Sequence, residues 1–136
     1  MRALRNEKIK VINKNVKDAS SKDTEGEVDF VFSNPPYMKT DSGKANEHSE
    51  KNIARHEVCG DINDFCACAK RLLKHGGYFY CVYRPDRMAD LIHALKNNDL
   101  EPKKITLVYP NSSTSPCLLL ISARLYGKSG MSVEKP

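Results

Sequence analysis

Asn34-Pro35-Pro36-Tyr37 follows directly on Val28-Asp29-Phe30-Val31-Phe32-Ser33, a short apolar run with the character of a strand. A carboxamide, a rigid double proline and an aromatic ring at the end of a buried strand make a site for a planar amine. An aromatic amine is a poor nucleophile because its lone pair is delocalised into the ring, and two acceptors placed on its two hydrogens localise that pair. Pro35 and Pro36 remove two backbone donors and fix two φ angles, so the strand ends there. Asn34, preceding a proline, is pushed out of the helical region. Its carbonyl and side chain then project from the strand's carboxyl end, where open α/β sheets bind ligands. The plainer alternative is a strand-ending turn in which Asn34 only caps and the prolines only stiffen.

Around this point the sequence predicts alternating strands and helices. Ile9 to Ile12 is a short strand candidate, and 13–26 is polar loop with a helical turn. Residues 28–33 are apolar almost throughout, as a central strand covered on both faces should be. Residues 38–59 form a long polar stretch without a period, and loops of that length are usually functional or mobile. Asp61 is a suitable N-cap, with Asp64 as an acidic first-turn residue. Ile62, Phe65, Cys66, Ala69, Leu72 and Leu73 follow at helical spacing, and Gly76-Gly77 is expected to end that helix. Tyr78 to Tyr83 reads as a strand, Asp86 as the cap of a second helix through Leu91, Ile92 and Leu95, and 104–109 and 118–125 as an antiparallel hairpin.

At 136 residues and 40% apolar, the chain suffices for one modest core. One domain is expected over 1–126, with a flexible tail over 127–136. No apolar run approaches the ~20 residues of a membrane span, and the N-terminus lacks a signal peptide's apolar stretch. Cys59, Cys66, Cys68, Cys81 and Cys117 are odd in number without a C-x-x-C pair. Cys66, Cys68 and Cys81 sit among apolar neighbours and read as small buried thiols of a reducing cytoplasm, not as disulfides or a zinc site. Glu47, His48, His56 and Glu57 match no zinc spacing, so no metal is expected. The net charge of +5 is compatible with a nucleic-acid partner and equally with a solvated basic surface.

The tetrapeptide resembles the catalytic motif of S-adenosylmethionine-dependent amino-group methyltransferases, which act on adenine, cytosine or glutamine nitrogens. The likeness extends to Asn46-Glu47-His48, Ile53-Ala54-Arg55-His56-Glu57, Arg71-Leu72-Leu73-Lys74-His75-Gly76-Gly77 and Tyr83-Arg84-Pro85-Asp86-Arg87. Together these resemble the bacterial family that methylates the exocyclic N6 amine of the adenine beside the anticodon of a valine tRNA. The resemblance implies an α/β fold: a partial Rossmann-like class I methyltransferase sheet, mostly parallel with a C-terminal antiparallel hairpin. It also implies S-adenosylmethionine as methyl donor, tRNA as partner and a cytoplasmic location. The alternatives are a glutamine-amide methyltransferase of a translation factor, or an inactive remnant or RNA-binding module.

By resemblance, the Asn34 side-chain oxygen and the Pro35 carbonyl are the two acceptors, and Tyr37 stacks on a flipped-out base. Asn15 stands where the family more often has an aspartate that accepts from the cofactor's adenine amine; a solvated loop asparagine is the other reading. Phe32 flanks the cofactor ring or belongs to the core. Arg55 and His56 are assigned to a substrate-side loop, with solvated surface as the alternative. Arg84 and Arg87 make phosphate contacts or salt bridges at a helix start, and Lys70, Arg71 and Lys74 are taken as ordinary cations of a helix's later turns. The family's glycine-rich cofactor turn has no counterpart before Asn34, where Gly26 is the only glycine. The expectation is a C-terminal portion without the front half. It would be unable to hold the cofactor alone and would carry an unpaired apolar sheet edge, open to a homodimer or covered by a rearranged N-terminal segment.

Overall fold

The computed structural model describes residues 8–36 and 60–136. Tyr37, Arg55 and His56 lie outside them, as does the long polar stretch before Gly60. The elements are β1 (Val28–Ser33), α1 (Ile62–Leu72), β2 (Leu73–Tyr83), a 3₁₀ turn (Pro85–Arg87), α2 (Met88–Asn97), β3 (Leu100–Val108), β4 (Leu118–Leu125) and β5 (Ser132–Val133). They form one α/β sheet in the order β1-β2-β4-β3-β5. β1 runs parallel to β2 and β5 to β3, while β4 is antiparallel to both its neighbours. Four strands therefore share one direction and β4 alone opposes them, giving the mostly parallel sheet and terminal hairpin that were expected.

The segment 127–136, expected to be a flexible tail, carries β5, which pairs at Lys104 and Ile105. The candidate strand at Ile9 to Ile12 reduces to an isolated bridge at Ile9. Ile9, Val11 and Ile12 are all exposed, so none of that segment's apolar side chains drives pairing.

Helix α1 begins where the sequence says it should. Asp61 Oδ1 accepts from the Asp64 amide and Asp64 Oδ2 from the Asp61 amide, both at 2.9 Å, a reciprocal cap of about 1 kcal/mol. Its end differs from expectation. The helix stops at Leu72 with Leu73 already extended, and Gly76-Gly77 lies inside β2. The reason is tertiary. Between the pairs Val28↔Leu73 and Phe30↔Tyr78, β2 carries three residues more than β1. The extra chain is absorbed by a bulge in which Gly76 takes φ +81. A Cβ on Gly77 would meet the Asp29 carbonyl oxygen at 3.0 Å, so a larger residue here would need β1 to give way. Lys74 accordingly sits in a strand, 3.4 Å from Asp29, and not in a helix.

Asp86 does not cap α2; it lies in the 3₁₀ turn, and Arg87 occupies the cap position without a side-chain bond. Both helices pack on one face of the sheet, where Cys66, Leu91 and Leu95 meet Phe79, Leu119 and Ile121 in a closed core. Each such large side chain stabilises the fold by roughly 1.5–3 kcal/mol. β1 is not the doubly covered central strand its composition suggested. Within the described sheet it is an edge, and Phe30 and Phe32 are 56% and 74% exposed on the face away from the helices. No helix among the described residues is long and apolar enough to cross a membrane.

Burial raises three acidic groups in this core. The Cys66 thiol is pushed far up, the Cys81 thiol from 9.0 to about 12, and the Tyr83 hydroxyl above its usual 10.0. Folding favours the protonated form of each. Their contribution is therefore whole below the ordinary thiol value and is lost as pH rises through the folded values. The thermal midpoint, followed by circular dichroism, should hold steady up to pH 9.0 and fall between there and about 12. A midpoint flat across that window would refute the assignment.

Candidate functional site

Parallel pairing sets Phe32 beside Tyr80 and Ser33 beside Cys81, and so delivers Asn34 to the sheet's carboxyl rim. Asn34 and Pro36 are exposed, while Pro35 between them is buried. The prolines thus anchor the turn through one ring and leave Asn34 at the rim, lining a recess. Two cavities flank the motif. One, of about 460 Å³, lies on the sheet face away from the helices and is lined by Phe32, Asn34, Tyr80, Val82, Leu120 and others. Its walls are almost wholly apolar. The other, of about 290 Å³, lies on the helix side and joins Pro36 to Asp61, Asn63, Tyr83, Asp90 and His93. Asn34 lines the apolar recess and Pro36 the polar one.

The apolar recess is floored by rings. Phe32 stacks on Tyr80 at 4.8 Å between centroids with planes 13° apart, and Tyr78 lies 6.1 Å from Tyr80. Tyr80 was not singled out from the sequence, although Tyr78-Phe79-Tyr80 alternates and must place both tyrosines on one face. The polar recess was missed because its members come from β2, α1 and α2. His93 Nε2 and Asn97 Nδ2 are 3.0 Å apart along one face of α2, and Asn98 Nδ2 donates to Asn63 Oδ1 at 2.9 Å, tying α2 to α1.

The remaining expected site residues are placed as follows. Asn15 is half-buried in a turn where its Oδ1 accepts from the Lys17 amide at 2.9 Å, so its oxygen already serves the local chain. Arg84 forks onto Asp86, with Nε–Oδ1 at 2.9 Å and Nη2–Oδ2 at 2.6 Å. Arg87 pairs with Asp90 at 2.8 Å. Both arginines thus take the salt-bridging option at the start of α2. Arg71 does more than an ordinary helix cation: it donates to the carbonyls of Val16, Lys17 and Ala19 at 2.8, 3.2 and 3.0 Å, and so clasps the N-terminal segment to α1. Among the described residues no group of three or more His, Cys, Asp or Glu is placed to hold a metal ion.

No protein family's sequence pattern matches the chain, and no curated protein does. Solved structures do. A protein from Agrobacterium tumefaciens described as an O-methyltransferase aligns at TM-score 0.69 and 19% identity, over 99% of this chain and 60% of that one. One from Lactococcus lactis described as a hemolysin aligns at TM-score 0.66 and 10% identity, over 98% and 65%. The geranyl diphosphate C-methyltransferase of Streptomyces coelicolor A3(2), solved with S-adenosyl-L-homocysteine, aligns at TM-score 0.51 and 15% identity, over 82% and 52%. The likeness is one of fold. This chain spans less than two thirds of the length of each, and the same architecture carries differently described functions.

Cys66, Cys68 and Cys81 are buried and Cys117 is exposed. Burial also raises the Cys68 thiol, against a neighbouring arginine that lowers it. Treated with a thiol reagent in native buffer and mapped by mass spectrometry, Cys117 should be labelled quickly. The three buried cysteines should be labelled only in denaturant. Fast native labelling of Cys66 would contradict the packing.

Proposed function

We propose that the chain is the methyl-acceptor portion of an S-adenosylmethionine-dependent N-methyltransferase acting on the exocyclic N6 of adenine in tRNA. One observation carries this reading: Asn34-Pro35-Pro36 stands at the carboxyl end of a strand paired parallel with its neighbour, in a fold shared with proteins described as methyltransferases. The exposed Asn34 carboxamide and the Pro35 carbonyl accept from the two amine hydrogens. They favour a more tetrahedral nitrogen whose lone pair is available for transfer. Pro35, buried, fixes where those oxygens lie, and positioned acceptors of this kind act by electrostatics and orientation. Tyr37, outside the described residues, is assigned the stacking contact with the base.

S-adenosylmethionine, when bound, supplies a methyl group on a positively charged sulfur. The described residues fit the acceptor side of that chemistry better than the donor side. Phe32 and Asn34 would hold the cofactor at the apolar recess, whose lining contains no carboxylate to take the ribose hydroxyls. Asn15 is engaged in its own turn. We therefore expect the chain alone to hold the cofactor weakly; titration calorimetry with S-adenosylmethionine measures this, and tight binding would overturn that part of the reading.

Asn34→Ala, made in an intact methyltransferase carrying the same tetrapeptide, should lower turnover of a tRNA transcript by about 10²–10³-fold or more. RNA affinity should change little. Retained activity would defeat the mechanism, and methyl label appearing in a release-factor glutamine instead of tRNA would transfer the reading to amide methylation.

We further propose self-association along the β1 edge, where Phe30 and Phe32 are exposed. Sedimentation velocity should give a dimer, and a clean monomer at high concentration would exclude it.

A further inference from the structure

At the opposite end of the sheet from Asn34 lies a third cavity, of about 510 Å³, lined by His75, Lys103, Arg124, Tyr126, Lys128 and two glycines. At about 3.3 Å per residue along β2, the seven residues from Gly76 to Tyr83 put roughly 20 Å between it and the motif. None of the lining residues is acidic. Three long cations and a histidine therefore converge on one recess, in a chain whose formal charge is already +5. Like charges gathered this way repel in the absence of an anion.

A second observation concerns the backbone. Tyr126 sits at φ +57, a left-handed conformation that a bulky side chain rarely adopts, and Asp99 opposite it is also at φ +57. The Tyr126 amide donates to the Asp99 carbonyl at 2.8 Å, and Lys70 bonds Asp99 at 2.7 Å while lying 6.0 Å from the Tyr126 ring centroid. The strain holds an aromatic ring that is 52% exposed, stacked on His75 at 5.0 Å. Glycine would occupy that position without strain, so the ring is the feature retained at its expense. Next to it, Arg124 donates to the Gly76 carbonyl at 3.1 Å and lies over the Tyr78 ring. Lys103 reaches the Lys128 carbonyl at 2.8 Å, which fixes the far wall.

We propose that this recess binds a single-stranded nucleic-acid segment, with backbone phosphate held by Lys103, Arg124 and Lys128 and a base stacked on the Tyr126–His75 pair. Cations that track phosphate, combined with an exposed ring that accepts any base, are the two components of sequence-tolerant strand binding. A lipid surface would need protruding aliphatic side chains beside the cations, and the lining has none. The site rests on the nucleic-acid reading above for the identity of the polymer. It adds an anchor remote from the methyl acceptor, which would hold RNA whether or not transfer occurs.

The test is fluorescence anisotropy with a labelled single-stranded RNA oligonucleotide, titrated by the full chain at several salt concentrations without any methyl donor. Tyr126→Gly removes the ring and the strain together. It should weaken binding by about 5–150-fold, the range for one base stack, without lowering the thermal midpoint. Lys128→Gln, at an exposed position, should reduce the slope of log affinity against log salt by about 0.7. Parent-like affinity and slope in both variants would overturn the site, as would loss of binding to anionic phosphatidylserine vesicles with RNA binding unchanged. RNA binding that these substitutions weaken would uphold it even if methyl transfer to tRNA failed. Transfer without any contribution from this recess would sink it while leaving the proposed function intact.

Discussion

Gly77 and the carbonyl of Asp29 approach so closely that a Cβ at 77 would stand 3.0 Å from that oxygen, and the position of the candidate site depends on the pairing this contact belongs to. β1 has one strand partner in the described sheet, β2, and the two would fall out of register without the bulge before Tyr78. Once the bulge absorbs the surplus, Phe32 stands beside Tyr80 and Asn34 is carried to the rim above them. A larger residue at 77 would ask the Asp29 carbonyl, and β1 with it, to give way. A glycine in the bulge thus governs geometry at the far end of the same strand.

What was legible in the sequence was local. Val28–Ser33 and Leu118–Leu125 announced themselves by composition and by the punctuation around them, and the Asp61/Asp64 cap needs only a three-residue spacing. Gly76-Gly77 was misread for a physical reason. A glycine pair after an amphipathic run is what a helix terminus offers, and the demand that placed these two came from a strand some 45 residues away, through pairing. Asp86 failed as a cap because a 3₁₀ turn over Pro85–Arg87 precedes the helix and moves the cap position to Arg87, while its carboxylate forks with Arg84. Ile9 to Ile12 had strand composition but found no ladder.

The candidate site divides in the same way. Asn34, Pro35 and Phe32 were readable as a motif at a strand end. The polar recess was not, because Tyr83, Asp90 and His93 are unremarkable until three elements bring them together. Nor did any pattern mark Tyr126, whose interest lies in a backbone torsion. Burial of Cys66, Cys68 and Cys81 was legible from their apolar neighbours, and that burial is what raises their proton affinities.

Among the described residues β1 pairs along one side, with a strand that a long stretch of chain separates from it, whereas β3 and β4 form a hairpin with a much shorter connection. Loop-closure entropy makes the hairpin the earlier and β1 the later to zip up. The same asymmetry operates in the native state: fraying should begin at β1, and its amides should exchange with solvent before those of β2 and β4. Among the described strands the one that presents the carboxamide is therefore the least tethered of the long ones, so whatever docks against its outer side would set the position of that rim as well as cover it.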